Sequence, residues 1–341
     1  MTTIVEVARH AGVSVATVSR VLNGNAKVKP ELKQRVLAAV EALHYVPNAA
    51  ARNLRLNESR AILILVPNVT NPYYARIIAG IGEVAHERGY SSFLCDTGGD
   101  SQRERELLKR LEVNQADGAI LMATELGAGW LAPIAARYPV VQSSEFDPDV
   151  DVTHVCIDNY RAARDAMEHL QALGHRRIGL ISSENRYHST ARRTQGYRDA
   201  LEQAGLSASY IRLGSADYSF KSGFTAARSL LSQERRPTAL FCISDMLALG
   251  AIASAREMGF RVPEDVTVVG FDDVEQTTMF HPYVTTVVQP CQEIGRRAMQ
   301  LLDDLMHARP APREVLLPHS LAVRESSALR RVDLLDFSAH A

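Results

Sequence analysis

Residues 4–24 (IVEVARHAGVSVATVSRVLNG) restrict the fold more than any other stretch of this chain. Apolar residues recur at Ile4, Val7, Ala8 and Ala11, the i, i+3, i+4, i+7 spacing of one helix face. Gly12 interrupts that pattern. Ser14 suits an N-cap, and Val18, Val21 and Leu22 give a second helix from Val15 its own buried stripe. Asn23-Gly24 stops it. Two short helices joined by a tight glycine-containing turn make a helix-turn-helix, although an ordinary αα-hairpin in a helical core has the same pattern. In a helix-turn-helix the second helix enters the major groove of DNA. Its outward residues here are Val15, Ala16, Thr17, Ser19 and Arg20.

Charge is distributed to match. The formal net charge is −1, yet residues 1–60 hold nine Lys/Arg against four acids, a net of +5. The rest carries 29 bases against 35 acids, a net of −6. A basic head on an acidic body suits a polyanion-binding module joined to something that is not one. A third amphipathic helix begins near Pro30 and carries Leu32, Val36, Ala39, Val40 and Leu43. Pro47 ends the head, and AAARNLR (residues 49–55) has high helix propensity but is too short to be stable alone.

From Ala61 the texture changes to alternating strands and helices. ILILV (62–66) is a continuous apolar run, as expected for a parallel strand covered on both faces. Residues 91–94, 118–122 and 139–141 repeat that signal, with helices expected over 77–88, 103–114 and 131–136. A second series has strands at 177–181, 238–242 and 266–271, with helices over 160–173, 195–204, 222–231 and 246–258. Two consecutive βα series imply two doubly wound lobes of α/β type, each on a parallel sheet. The expected division is a helical DNA-binding domain over 1–46, a hinge or linker over 47–59, a two-lobed domain over 60–330 and a tail over 331–341. Within the two-lobed domain, 60–159 and 290–318 form one lobe, and 160–289 and 319–330 the other.

Nine segments in order, among them VARHAGVSVATVSRVLNG, HYVPNAAARNLR, NPYYARIIAGI, RRTQGYRDAL, RVPEDVTVVGFDD and TTVVQP, resemble the lactose/galactose-repressor family of bacterial transcription regulators. NESRAILILVPNVTNPYY is most similar to the family's nucleoside-responsive branch. The resemblance implies a repressor head joined to a periplasmic-binding-protein-like body. It assigns base reading to Val15, Ala16 and Arg20. Valine and alanine can only fit thymine methyls and base surfaces, whereas Arg20 can grip a guanine with two hydrogen bonds. Thr17 and Ser19 suit phosphates. Asn48 and Leu54 would belong to a hinge helix that folds on operator DNA, with Leu54 wedged into the minor groove. The implied effector cleft takes Asn71, Tyr73, Tyr74, Asp158, Arg193, Tyr218, Ser244, Asp245 and Asp272. Aromatic faces there would pack on a ring, while carboxylates and an arginine fork bind hydroxyls. Asp245 also suits an N-cap of a helix beginning at Met246.

The expected effector is a nucleoside or sugar acting as inducer, and the expected partner is palindromic double-stranded DNA bound by a homodimer through first-lobe helices over 77–87. No heptad run follows the last family segment, so no tetramer-forming bundle is expected. Four scattered cysteines, no apolar run of bilayer length and no signal-peptide core point to a reducing cytoplasm and no membrane. G-x-S-x-G, P-loop and H-E-x-x-H motifs are missing, so no catalytic residue, metal or cofactor is expected. The competing reading is a two-lobed small-molecule binding protein with no regulatory role.

Overall fold

A computed structural model describes residues 2–22, 28–45, 58–208, 210–214 and 217–330. The chain divides into two compact units, Met1–Ser59 and Arg60–Ala341. In the first, helices α1 (Ile4–Ala11), α2 (Val15–Leu22) and α3 (Pro30–Ala42) pack around Val7, Ala8, Ala11, Val18, Val21, Val36 and Ala39. Thr3 starts α1 with a capping box: its hydroxyl accepts from the Glu6 amide, and its own amide donates to the Glu6 carboxylate at 2.7 Å. Gly12 ends α1 at φ 59°, a left-handed conformation that glycine adopts without a Cβ penalty.

The second unit holds two six-stranded sheets. The first is built from β1 (Ala61–Val66), β2 (Ser91–Asp96), β3 (Gly118–Leu121), β4 (Val140–Ser143), β5 (Thr153–Ile157) and β11 (Glu314–Leu317), ordered β11-β5-β4-β3-β1-β2 and wholly parallel. The second contains β6 (Ile178–Ser183), β7 (Ile211–Gly214), β8 (Ala239–Cys242), β9 (Thr267–Asp272), β10 (Thr285–Val288) and β12 (Ser320–Ala322), ordered β12-β10-β9-β8-β6-β7. Only β12 runs antiparallel to its neighbour there. The helices of the first sheet are α4 (Pro72–Glu87), α5 (Ser101–Glu112) and α6 (Ala128–Ala135). Those of the second are α7 (Asn159–Ala172), α8 (His188–Gln203), α9 (Phe220–Leu231) and α10 (Asp245–Glu257), while α11 (Cys291–Met306) returns to pack on α4. The backbone therefore passes between the sheets three times: after β5, after β10 and between β11 and β12.

Two expected helices start earlier than their apolar spacing suggests. α4 begins at Pro72 because Asn71 caps it by accepting from the Tyr73 amide at 3.0 Å, and proline is well tolerated in a first helical turn. α8 begins at His188 with a polar first turn that carries no hydrophobic signal. β5, β7, β10, β11, β12 and α11 extend the expected set of elements.

In each lobe a pair of helices crosses at glycines. A Cβ on Gly80 would lie 2.0 Å from the Gln292 carbonyl oxygen of α11, and one on Gly295 would lie 2.0 Å from that of Ile77. Gly223 and Gly250 make the matching approach between α9 and α10. Backbone cannot rotate aside as a side chain can. Gly80→Ala should therefore destabilise the protein at the upper end of the overpacking range, about 3 kcal/mol, as a lowered midpoint in urea denaturation. An unchanged midpoint would show that α4 and α11 separate freely.

Candidate functional site

The head presents its second helix for reading. Ser14 accepts from the Thr17 amide at 3.2 Å and so caps α2. Arg35 of α3 reaches back to the Ala11 carbonyl at 2.7 Å and fixes the turn between α1 and α2. Val18 and Val21 are buried, which leaves Val15, 40% exposed, with Ala16 and Arg20 on the open side. Thr17 and Ser19 are half-buried, and the Thr17 hydroxyl lies 2.9 Å from that of Ser14. Asn23-Gly24, Asn48, Leu54, the 331–341 tail and all but the last two residues of the 47–59 hinge lie outside the described residues.

In the second unit, a cavity of 410 Å³ opens at the carboxyl ends of the strands of both sheets, the usual ligand position in open α/β sheets. Asn68, Asn71 and Tyr74 enter from the segment after β1, Asp96 from the end of β2 and Glu125 from the loop after β3. Asn185 and Tyr187 follow β6, and Tyr218 follows β7. An adjoining cavity of 570 Å³ shares Glu125 and Tyr187 and adds Glu145 and His188.

A buried polar chain connects the expected residues Tyr73, Asp272 and Arg193. The Tyr73 hydroxyl donates to Gln289 Oε1 at 3.2 Å, and Gln289 Nε2 donates to Asp272 Oδ1 at 2.7 Å. Arg193 lies 3.8 Å from the same Asp272 oxygen, with its guanidinium 3.7 Å from the centre of the Phe271 ring. Arg193 also donates to Asn159 Oδ1 at 2.9 Å and to the Ile243 carbonyl at 2.6 Å. All of these residues are at least nine-tenths buried. Burial raises the Asp272 carboxyl to about 7 despite the opposing pull of Arg193. Burial likewise lifts the Tyr73 and Tyr74 hydroxyls well above their ordinary value. Asp272 has φ 123°, an unusual backbone state for a non-glycine residue, and its partners hold it there.

The remaining expected residues are placed differently. Asn71, Tyr74 and Tyr218 line the cavity directly. Ser244, rather than Asp245, caps α10, accepting from the Leu247 amide at 3.4 Å; this corrects the N-cap reading of Asp245. Asp245 is fully buried, with one oxygen 2.6 Å from the Thr286 hydroxyl and the other 2.9 Å from the Val274 amide, so it braces the loop after β9. Asp158 is exposed where the chain leaves β5 and caps α7 through the Arg161 amide at 2.9 Å. Gln289, Glu145 and Arg76 were not foreseen. Glu145, after β4, accepts from the Ser189 amide at 3.1 Å and from the Ser189 hydroxyl, capping α8 from the opposite lobe. Arg76 of α4 donates to the Asp273 carbonyl.

Two lobes on mostly parallel sheets joined by three crossings, a buried polar chain linking them and a helix-turn-helix head define a ligand-responsive DNA-binding protein. The chain belongs to the lacI family of bacterial regulatory proteins. Residues 3–48 match that family, and residues 167–327 match the periplasmic binding protein-like domain. The chain is 37% identical over 310 residues to the HTH-type transcriptional repressor CytR of Escherichia coli (strain K12), covering 90% of each. A lac repressor dimer bound to operator and the anti-inducer ONPF matches with a TM-score of 0.87 and 27% identity, over 96% of this chain and 99% of that one. A LacI family regulator from Enterococcus faecium with bound ribose matches with a TM-score of 0.72 and 26% identity, over 80% and 100% respectively. The protein is a ligand-responsive transcriptional repressor with a helix-turn-helix DNA-binding domain. No helix among the described residues is long and apolar enough to cross a membrane.

Asp272 carries a pH signature. Its folded value of about 7 lies above the ordinary 3.8, so the native state holds its proton more tightly than the unfolded chain. Its contribution to stability is present below about pH 4 and is lost as pH rises towards about 7. The unfolding free energy of the native protein minus that of Asp272→Asn should fall across that window in urea titrations. A difference independent of pH would contradict the raised value.

Proposed function

We propose that the effector is a nucleoside or a sugar, that it binds between the lobes, and that it acts as an inducer by favouring a lobe arrangement with weaker operator binding. The buried chain Tyr73–Gln289–Asp272–Arg193, close to a cavity faced by Tyr74, Tyr187 and Tyr218, is the observation that supports this most. Aromatic faces suit a ring, and the Asn68, Asn71 and Asp96 side chains lining the same cavity suit its hydroxyls. Effector contact is assigned to Asn71, Tyr73, Tyr74, Tyr218, Arg193 and Asp272. Asp158, Ser244 and Asp245 serve as supports for the elements around them.

In the head, base reading falls to Val15, Ala16 and Arg20 and phosphate contact to Thr17 and Ser19, with Asn48 and Leu54 in a hinge over 47–59. The domain division is that of the sequence: 1–46, 47–59, 60–330 and the tail. The outward side of α4 and the β2 edge, where Phe93 and Leu94 are 50% and 49% exposed, form the proposed seat of the second subunit. Ile77 and Ile81 turn inward and leave that role to their exposed neighbours. The protein works in the cytoplasm, on the nucleoid, without catalysis, metal or cofactor. Burial raises the Cys156 and Cys291 thiols to about 12, which suits packing rather than nucleophilic attack.

Arg20→Ala should remove most of the preference for operator over unrelated DNA, about 1–3 kcal/mol, in competition gel-shift assays. Its effector affinity should match that of the native protein in calorimetry. Retained preference would remove Arg20 from the reading set, and loss of both activities would show that the head and body do not function as separate modules.

A further inference from the structure

We propose that Asp245 is a neutral carboxylic acid in the native protein, donating a hydrogen bond to Thr286, and that in this form it positions the buried polar chain beside the cleft. The carboxyl groups of Asp245 and Asp272 are both buried, and the guanidinium of Arg193 lies 3.8 Å from Asp272 Oδ1. Two negative charges beside that one positive charge would leave a net charge out of water, which a retained proton prevents. The hydrogen bonds say which carboxyl keeps it. Asp272 accepts from Gln289 Nε2 at 2.7 Å and from the Asp245 amide, groups that only donate, and Arg193 favours its ionised form. The partner of Asp245 Oδ1 is a hydroxyl 2.6 Å away, which can turn. With the proton on Oδ1, the Thr286 hydroxyl accepts it and gives its own hydrogen to the Val287 carbonyl, 3.4 Å away. Oδ2 still accepts from the Val274 amide at 2.9 Å.

The surroundings favour the same assignment. Oδ1 packs on Gly270, where a Cβ would lie 2.2 Å from it, which leaves no room for a counterion on that side. Asp272 and Asp273 both disfavour a charge on Asp245, and together with burial they push its carboxyl well above the ordinary value. Cys242 of β8 and Cys291 of α11 are thiols that burial keeps neutral. Arg193 and Arg76 act on Asp272, and Arg324 pairs with Asp273 at 2.5 Å. Asp272 is therefore the member that ionises near pH 7, while Asp245 keeps its proton. Through the Val274 amide Asp245 holds the segment that carries Asp272 and Asp273, and the Asp273 carbonyl receives Arg76 from the other lobe. The effector reading enters only in placing this segment beside the ligand; the proton itself is measured without one.

Asparagine reproduces the neutral acid, since its Nδ2 can donate to Thr286 and its Oδ1 accept from Val274. Urea denaturation of the native protein and of Asp245→Asn across pH tests the assignment. The unfolded native chain ionises Asp245 above about pH 4 and the folded chain does not, so the native folding constant should fall relative to that of the variant by about tenfold per pH unit between about pH 5 and about pH 7. A ratio independent of pH, or rising with it, would show that Asp245 ionises in the folded state and would overturn the proposal. Infrared spectra of the native protein at about pH 8.5 read the proton without the asparagine variant: the C=O band of a protonated carboxyl group should be present, and Thr286→Ala, which removes its acceptor, should shift it. Absence of the band, or a band at the same position in Thr286→Ala, would contradict the assignment.

Discussion

Everything around the cleft depends on an arginine and a carboxylate kept out of water together. Arg193 and Asp272 come from α8 and β9 of one lobe and are almost wholly buried. Burying the Arg193 charge costs several kcal/mol unless polar groups compensate it, and the same burial draws the Asp272 carboxyl towards its protonated form. The structure meets that constraint with hydrogen bonds from elements far apart in sequence. Asn159, the Ile243 carbonyl and the Phe271 ring surround the guanidinium, while Gln289 serves the carboxylate. Gln289 lies where the chain passes from β10 to the other sheet, and it also receives Tyr73 from that lobe. The ion pair is thus tied to both lobes through a residue of a crossing segment.

That arrangement gives physical content to the proposed switch. Each lobe has a helix pair locked backbone to backbone at glycines, so the lobes themselves resist deformation. The chain joining them is confined to three crossings, and the contacts between them include Glu145 with Ser189 and Arg76 with Asp273. A ligand can shift the balance of lobe arrangements only through its differential affinity for them. Groups linked to both lobes, such as Gln289 and Glu145, are where that difference would arise.

Much of the architecture was legible because its signals are local. Gly12, Ser14 and the valines of α2 lie within ten residues of one another, and cap, turn and stripe can be read together. The apolar run of β1 reflects burial on both faces. β11 alternates between exposed and half-buried positions and β12 has three residues, so neither carries such a run. α11 has a readable stripe at Ile294, Ala298, Leu301 and Leu302, yet it falls outside both βα series. In the site, Tyr73, Arg193 and Asp272 were found through family motifs. Glu145 was not, because its partner Ser189 is 44 residues away and nothing near it marks the pairing. Asp245 shows the limit of a local motif: the cap suggested by its place in the ISD motif falls to Ser244, while its own carboxyl group pairs with Thr286 and Val274.

The central claim is that cleft and reading helix belong to one equilibrium, although they lie in separate units of the chain. Thermodynamic linkage makes that claim reciprocal, since an effector that weakens operator binding must itself be bound more weakly by the operator complex, and by the same factor. The decisive measurement is the affinity of one bound nucleoside or sugar for the free protein and for the protein saturated with operator DNA. The coupling predicts weaker binding to the DNA complex, by the factor with which the effector weakens operator affinity. Equal affinities in the two states would contradict it.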